Sequence, residues 1–234
     1  MRIADYACLD IARQARTGVP EVVLAEGKHP AHLKRIVGAM LANAGRAIVT
    51  RASPSSIRAL RDLPGRHSVH QEAGVVVLTM PSFCPPPRTG TVGVLCAGTS
   101  DFGVAEEARL IAEQLGCRTV AAYDVGVAGV HRLLDALTRM RRRNVDVYIA
   151  VAGREGALPT LLAGMVDRPV IGVPVSAGYG MAGKGRSALY AMLQSCSPLA
   201  VVNIDAGFVA GAVAAQIARL SRRGAGRGTA RRGR

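Results

Sequence analysis

Three short polar segments in the second half of the chain carry residue types that can bind phosphate and transfer protons. The first, Gly98-Thr99-Ser100-Asp101, follows an apolar run at 92–95 and precedes a helical pattern. Small residues allow a ligand to approach the backbone closely, and the free amides at the start of a helix favour a phosphate group. Because the same residues also serve as ordinary helix caps, the turn is consistent with either a phosphate site or a structural cap.

Charged side chains occupy the other two segments. Asp124 and His131 lie in one of them, and Gly153-Arg154-Glu155-Gly156 forms the other. Carboxylates and imidazoles are common acids and bases in enzymes, whereas each of these residues taken alone is also consistent with a turn cap or a solvated surface. If the preceding strands are parallel, the three segments gather at one edge of a sheet, where ligands bind in such folds. Their convergence favours a binding site.

Cys196 is a candidate nucleophile. It follows a predicted helix near 183–194 and precedes the last predicted strand. A free cysteine is more often a small buried apolar residue than a reactive group. The thiolate is the nucleophilic form, so a nearby cation such as Lys184 or His131 would be needed to activate this side chain.

The apolar segments after residue 90 predict an α/β fold. Strands alternate with helices there, and this alternation implies βαβ units and a parallel sheet. A glycine-rich segment, 174–185, follows the fourth strand and is long enough to fold over a ligand. The strands are predicted near 92–96, 118–123, 146–151, 169–173 and 199–203, and the helices near 102–115, 130–142, 157–166, 183–194 and 206–221.

A proline-rich segment, 81–90, divides the chain, because consecutive prolines cannot continue a helix or a central strand. A small α+β domain is predicted over 1–80, and the larger α/β domain over 91–221. The smaller domain is expected to contain helices at 6–16, capped by Asp5, and at 31–43, with strands at 21–24, 47–50, 68–71 and 75–79. The last segment, 222–234, is rich in glycine and arginine and is predicted to be a disordered tail.

The formal net charge of +14 raises the question of nucleic-acid binding. The tail carries six arginines and no acidic residue, and a second arginine cluster at 139–143 falls at a predicted helix end, where cations complement the dipole. Aromatic residues make up only 3% of the chain, too few for a base-stacking platform. Specific nucleic-acid binding is therefore not expected, and a nucleic-acid-binding or scaffold protein led by the basic tail remains one rival interpretation.

The cysteines and the apolar runs indicate the class of protein. Five scattered cysteines form neither a C-x-x-C pair nor a zinc-like cluster with histidine. The first residues are too charged for the apolar core of a signal peptide, and no apolar run approaches the roughly 20 residues of a membrane span. We expect a cytoplasmic protein that is not associated with a membrane.

The motifs of the second half resemble the phosphoribosylaminoimidazole carboxylase family. Almost the whole chain is similar to the LarB family, which acts in the synthesis of the nickel-pincer nucleotide cofactor. The first resemblance is carried by residues 98–101, 128–132, 158–159, 163–165 and 169–174, and the second by residues 9–13, 16–23, 26–28, 50–51, 98–101, 104–108, 124–129, 155–159, 195–196 and 202–205.

This resemblance implies a three-layer, doubly wound parallel sheet in the larger domain and a homo-oligomer, such as an octamer, with sites between subunits. It also implies a reaction: carboxylation of the pyridinium ring of nicotinic acid adenine dinucleotide by carbon dioxide or bicarbonate, with hydrolysis of the phosphoanhydride and release of AMP. Phosphoanhydride cleavage often uses Mg²⁺, although no motif identifies its ligands. The alternative is a carboxylase or mutase that acts on an aminoimidazole ribonucleotide in purine biosynthesis.

Matching positions within the LarB family imply roles for individual residues. Cys196 would be the nucleophile and Glu155 an acid or base, with His131 and Asp124 transferring or orienting protons. Between Cys196 and Val201 the sequence departs from the family pattern, because this stretch is shorter than in the family. The remaining residues implied in substrate binding are Ser100 and Lys184, which would hold a phosphate or carboxylate, Asp101, which would bind ribose or a metal-bridged phosphate, and Gly98, Thr99, Gly153, Arg154 and Gly156.

Overall fold

The structure, a computed structural model, describes residues 1–3, 6–177, 180 and 183–228, with side chains up to Arg222. The chain forms two compact units, Met1–Pro85 and Pro86–Arg234. The division lies within the proline-rich segment 81–90. The predicted cap Asp5, most of the glycine-rich segment between 178 and 182, and the end of the basic tail lie outside the described residues.

The first unit contains a four-stranded mixed sheet covered by helices. The sheet has the order β3-β4-β6-β5, with β3 and β4 parallel and the other pairs antiparallel. Its elements and those before it are β1 (Arg2–Ile3), β2 (Ala7–Cys8), α1 (Arg13–Thr17), β3 (Val23–Leu24), α2 (Pro30–Ala44), β4 (Arg46–Thr50), α3 (Pro54–Leu60), β5 (Arg66–His70) and β6 (Val75–Thr79).

Local sequence explains the main helix of this unit. The His29 side chain accepts a hydrogen bond from the Ala31 amide at the start of α2, and Gly45 ends the helix in the left-handed conformation with φ 66°. Its apolar residues at helical spacing, among them Leu33, Val37 and Leu41, are buried in the core of the unit. The hydrophobic core of this unit therefore lies between α2 and the sheet.

Two predictions for this unit differ from the structure. The expected helix 6–16 is reduced to Arg13–Thr17, because residues 7–8 instead pair with residues 2–3 in an antiparallel ladder. The helix α3 was not expected from periodicity, although Ser53 caps it by accepting the Ser56 amide and Pro54 opens it. In both places a short local interaction determines the structure where the apolar pattern is weak.

The second unit is built on a five-stranded sheet of the order β8-β7-β9-β10-β11, in which all neighbours are parallel. This confirms the predicted α/β class and parallel sheet. Its elements are β7 (Thr91–Cys96), α4 (Phe102–Gln114), β8 (Arg118–Ala122), α5 (Val130–Arg142), β9 (Val147–Ala152), α6 (Ala157–Ala163), β10 (Val170–Pro174), α7 (Arg186–Leu193), β11 (Ala200–Val201) and α8 (Gly207–Gly228).

Helices cover both faces of this sheet. The apolar residues of α5, α6 and α7 form one core cluster with Leu95, Tyr148 and Ala150 of the central strands. The helices α4 and α8 pack against each other and against β7 and β9. The unit is thus a three-layer, doubly wound sheet, and its chain order reverses between β7 and β9, which is the point where such sheets bind ligands.

The last helix differs from the expected disordered tail. Helix α8 continues to Gly228, and the Arg222 guanidinium donates to the Asp146 carboxylate at 3.2 Å and to the Asn144 carbonyl at 3.2 Å. Asp146 is buried and also accepts the Thr91 amide, so its charge is compensated on two sides. This ion pair ties the beginning of the basic segment to the sheet. Among the described helices, none combines the length and apolar character needed to cross a membrane.

Two glycine substitutions are expected to have opposite effects on stability. A Cβ added at Gly211 in α8 would overlap the Ala108 carbonyl oxygen of α4 and lie 3.0 Å from Ile111 Cβ, whereas one added at Gly38 in α2 would meet only Leu63 Cδ2 at 3.6 Å. Gly211→Ala should destabilise the second unit by about 1–3 kcal/mol through overpacking. Gly38→Ala should stabilise the first unit by up to about 1 kcal/mol through helix propensity.

Urea unfolding followed separately for each unit measures both changes. Equal effects of the two substitutions would contradict the close packing of α4 on α8.

Candidate functional site

An open cleft of about 470 Å³ lies at the carboxyl edge of the sheet of the second unit, where the strand order reverses. It is lined by the loops that follow β7, β8, β9 and β10. The lining residues are Ala97, Gly98, Ser100, Asp101, Asp124, Gly126, Val127, Ala128, Arg132, Ala152, Gly153, Arg154, Glu155, Ala157, Leu158 and Ala177. The structure therefore brings together seven of the residues predicted from the sequence: Gly98, Ser100, Asp101, Asp124, Gly153, Arg154 and Glu155.

The turn after β7 is held by Asp101. Its carboxylate accepts the Gly98 amide at 2.9 Å, and the Asp101 amide donates to the Gly98 carbonyl at 3.1 Å. The Gly153 amide also bonds to this carboxylate, which links the loops after β7 and β9. Asp101 is only 4% exposed, so its main role is to brace the cleft. Thr99 and Ser100 are exposed at this turn, and Ser100 lines the cleft.

Burial raises the pKa of Asp101 above its ordinary value of 3.8, while the Gly98 and Gly153 amides lower it and the charge of Glu155 raises it further. A carboxyl group whose folded-state pKa is raised contributes most to stability below pH 3.8 and loses that contribution as the pH rises through the raised pKa. Ionised Asp101 therefore disfavours the fold at neutral pH relative to its protonated form.

Glu155→Gln is expected to lower the pKa of Asp101, because it removes the repulsion between two carboxylates. A carboxyl NMR titration of Asp101 in both proteins measures the change. Asp167→Asn, which alters an exposed carboxylate before β10, serves as the control and should leave the titration unchanged. An Asp101 pKa that is the same with and without the Glu155 charge would contradict the proximity of the two carboxylates.

Asp124 stands at the end of β8 with a left-handed backbone, φ 55°, and forms an ion pair with Arg132. Gly126 is required two residues later, because a Cβ there would lie 2.7 Å from the Ala97 carbonyl oxygen. Arg132 lies in the cleft but outside the residues predicted from the sequence to act there. Its position in the first turn of α5, directly after a loop at the carboxyl edge, was the signal that could have identified it.

Glu155 extends from the loop after β9. The preceding residue, Arg154, has φ 46°, and Gly156 has φ 64°, where an added Cβ would lie 2.7 Å from the Ala188 carbonyl oxygen. The Glu155 carboxylate lies 4.0 Å from Arg154 Nε, and its side chain is 63% exposed. This backbone directs a solvent-accessible carboxylate to the cleft, where it can exchange protons with a bound substrate.

Five predicted residues do not line the cleft: Thr99 and Gly156, which belong to the loops that form it, and His131, Lys184 and Cys196. His131 is exposed in the first turn of α5, at the same edge of the sheet, and Lys184 is exposed before α7 with φ 60°. Cys196 lies at the opposite, amino edge, because α7 returns along the sheet and β11 begins four residues later, with Ala200 paired to Ile171. A strand of five residues spans about 17 Å, so within one chain Cys196 and Glu155 are separated by roughly the height of the sheet.

Cys96 is the cysteine nearest to the loops of the cleft, and it is not a substitute nucleophile. The residue is fully buried at the end of β7, and burial raises the pKa of its thiol to about 11. Its thiol donates to the Gly98 carbonyl at 3.4 Å. Cys96 therefore stays protonated at neutral pH and packs as a core residue. The exposed cysteines are Cys8, Cys84 and Cys196.

The cleft does not offer a ready-made magnesium site. Within the described ranges, no three His, Cys, Asp or Glu side chains gather as metal ligands. Asp101 is engaged by backbone amides and Asp124 by Arg132. The donor set present here does not fit a dedicated cation site, because Mg²⁺ requires several oxygen ligands in near-octahedral geometry.

Comparison with known proteins identifies both parts of the chain. Residues 91–227 match the model of the AIR carboxylase family, and residues 1–80 match the model of the LarB/PurE-like N-terminal domain. The two matches flank the proline-rich segment 81–90. The cleft described above thus lies within the AIR carboxylase match, at the loops after its first four strands.

Individual relatives agree with these matches. An uncharacterized protein of Methanocaldococcus jannaschii is 43% identical over 226 residues, which cover 93% of this chain and 86% of that protein. The "N5-carboxyaminoimidazole ribonucleotide mutase" of the same organism is 32% identical and covers 54% of this chain and 78% of its own length. The "Probable N5-carboxyaminoimidazole ribonucleotide mutase" of Methanothermobacter thermautotrophicus is 36% identical over 54% of this chain, and the match spans 37% of that protein.

Proposed function

The chain belongs to the AIR carboxylase family and carries a LarB/PurE-like N-terminal domain, and on this basis we propose that it carboxylates the pyridinium ring of nicotinic acid adenine dinucleotide. In the same catalytic cycle, water cleaves the phosphoanhydride, so that the products are AMP and a biscarboxylated pyridinium mononucleotide. The observation that supports this choice is the pairing of the two domains, since the mutases cited above match only about half of the chain.

Carboxylation requires that the electron-poor ring become nucleophilic. When a thiolate adds to a ring carbon, the pyridinium becomes a neutral dihydropyridine, and the nitrogen lone pair makes carbon 5 nucleophilic. Carbon 5 then forms a bond to carbon dioxide, and a base removes the proton from that carbon. The thiolate leaves with its electron pair, and aromaticity returns. The enzyme therefore needs one nucleophile and one base beside the ring.

The cleft supplies the base in this proposal. Glu155 has an accessible carboxylate that can take the ring proton, and the Asp124–Arg132 ion pair lines the same cleft as a fixed polar group. The Ser100 hydroxyl can donate a hydrogen bond to a phosphate, while the Gly98 and Asp101 amides hold the turn that positions it. His131 and Lys184 remain proposed contributors from the rim of the same edge.

The nucleophile in this proposal is Cys196 of a second copy of the chain. Its thiol is exposed at the amino edge of the sheet, about one strand length from the Glu155 of its own chain. A homo-oligomer that places the amino edge of one copy against the cleft of another would complete the site. This arrangement agrees with the assembly implied by the resemblance, in which sites lie between subunits.

A second candidate function is the mutase reaction named for the relatives, which acts on N5-carboxyaminoimidazole ribonucleotide. The identity to those proteins, 31–36% over the AIR carboxylase part, favours this alternative. In that reaction neither Cys196 nor the first unit would be needed. The two candidates therefore predict different products from different substrates.

Mass spectrometry of products distinguishes the two. The full chain is incubated with nicotinic acid adenine dinucleotide, isotopically labelled bicarbonate and magnesium chloride, and in parallel with N5-carboxyaminoimidazole ribonucleotide. The proposal predicts AMP together with a labelled biscarboxylated mononucleotide in the first incubation. Conversion of the imidazole ribonucleotide alone would assign the mutase function instead. Release of AMP without labelled product would mean that the protein is a hydrolase and not a carboxylase.

A further inference from the structure

A second groove lies at the opposite edge of the same sheet, away from the cleft. It has a volume of about 700 Å³ and is formed where β7 and β8 begin and α5 ends. Ligand pockets are commonly between about 300 and 1,000 Å³. Four arginines line it: Arg88 from the loop before β7, Arg118 at the start of β8, and Arg142 and Arg143 at the end of α5. They belong to three separate elements that the fold brings together.

These four guanidinium groups are not neutralised by carboxylates. In the described part of the chain, none of them forms an ion pair, and all four residues are exposed. The acidic residue in the lining is Glu113, whose carboxylate already accepts Arg109 at 2.7 Å and Thr119 at 2.5 Å. Arg109 is shared with Glu106, so Glu113 keeps part of its negative charge, but the four arginines outnumber this one carboxylate and the groove keeps a positive surplus.

Two structural explanations account for part of this cluster. Arg142 and Arg143 offset the negative end of the α5 dipole, which amounts to about half a charge, and charged residues protect the exposed edge strand β8 from pairing with another chain. Neither explanation requires all four arginines to border one concave space. Arg88 lies on the loop before β7, so it belongs to neither the end of α5 nor the edge strand β8.

We propose that this groove binds an oligophosphate anion, carried by a nucleotide or by inorganic polyphosphate. Each guanidinium presents a planar fork of donors that matches phosphate oxygens. Four guanidinium groups and one carboxylate leave a surplus of about three positive charges in the lining, which suits a ligand with three or four negative charges. The groove lies where β7 and β8 begin, whereas Cys196 lies before β11, so none of the residues that line the groove is used in the carboxylation proposal.

The test is isothermal titration of the full chain with sodium tripolyphosphate. Saturable binding of one anion per chain is expected, and Arg118→Glu combined with Arg143→Glu should weaken it by at least about tenfold. The control Arg58→Glu with Arg61→Glu makes the same change in net charge at exposed positions of the first unit and should weaken binding less than about threefold. An equal loss in the control would overturn the proposal, since it would show a response to overall charge alone.

Further arms separate the groove from the cleft and from nucleic acids. Ser100→Ala in the cleft should leave tripolyphosphate binding intact, whereas loss of binding in that variant would place the anion in the cleft and refute the groove.

Tighter binding of ATP than of tripolyphosphate would identify a nucleotide as the ligand, and equal binding would identify the phosphate chain. A random single-stranded oligonucleotide is tested as a competitor. If it displaces tripolyphosphate at a phosphate concentration below that of tripolyphosphate itself, the proposal is overturned and the groove is a nucleic-acid site. If the charge-reversed variant fails to fold, Arg118→Gln with Arg143→Gln should show a smaller loss in the same direction.

Discussion

Glu155→Gln is expected to lower kcat for carboxylation of nicotinic acid adenine dinucleotide by about 10²–10⁴-fold, which is the usual contribution of a general base. The amide keeps the shape of the side chain but cannot accept the ring proton. Because Glu155 extends from a loop with an exposed side chain, the substitution should leave the fold and substrate binding nearly unchanged. Single-turnover measurement of labelled carbon dioxide incorporation gives the rate of this step directly.

The control for this measurement is Glu72→Gln, which changes an exposed glutamate in the turn between β5 and β6. It should retain full activity. Release of AMP without carboxylation in the Glu155 variant would separate the two half-reactions and assign Glu155 to the ring chemistry alone. A rate within threefold of the parent would rule out Glu155 as the base.

The second large effect is expected from substitution of Cys196, which lies away from the cleft of its own chain. Cys196→Ala should lower activity by more than about 10³-fold if its thiol is the nucleophile. Mixed oligomers of Cys196→Ala and Glu155→Gln subunits should regain up to about a quarter of the parent activity, because random assembly gives that share of sites with both residues intact on neighbouring copies. Co-expression with two different tags and purification on both yields such oligomers for steady-state assays.

Oligomers that carry Cys196→Ala in both tagged copies should stay inactive. Inactive mixed oligomers would mean that the thiol is not donated by a neighbouring copy. Full activity of the single variant Cys196→Ala would instead exclude this cysteine from the mechanism. Whether the protein carboxylates the dinucleotide would still be decided by the product assay described above.

Much of the larger unit follows from local rules. The strands β7, β9 and β10 are buried along their whole length and appear in the sequence as continuous apolar runs, which is typical of parallel strands covered on both faces. The helices between them show apolar spacing and begin after glycine-containing loops. Those two patterns were sufficient to predict the class of the fold and the edge at which its loops converge.

The composition of the site was only partly predictable. Residues that follow a strand, such as Asp101, Asp124 and Glu155, were found because a parallel sheet places all such residues at one edge. Cys196 precedes a strand, and the same rule places it at the other edge. Its grouping with Glu155 came from family resemblance, which relates residues across subunits as readily as within one. The Asp124–Arg132 ion pair depends on side-chain geometry, which periodicity does not encode.

Four non-glycine residues at the carboxyl edge have left-handed backbones, and this affects which variants a screen for stability would select. Asp124, Arg154 and Lys184 all have positive φ, and Asp205 after β11 shares this conformation. Such conformations cost non-glycine residues about 1–3 kcal/mol each, so glycine at these positions would relieve strain. A screen for heat-resistant variants should therefore accumulate glycine at these four positions, and turnover should fall where the replaced side chain lines the cleft, at Asp124 and Arg154. Stability and catalysis compete at those two positions.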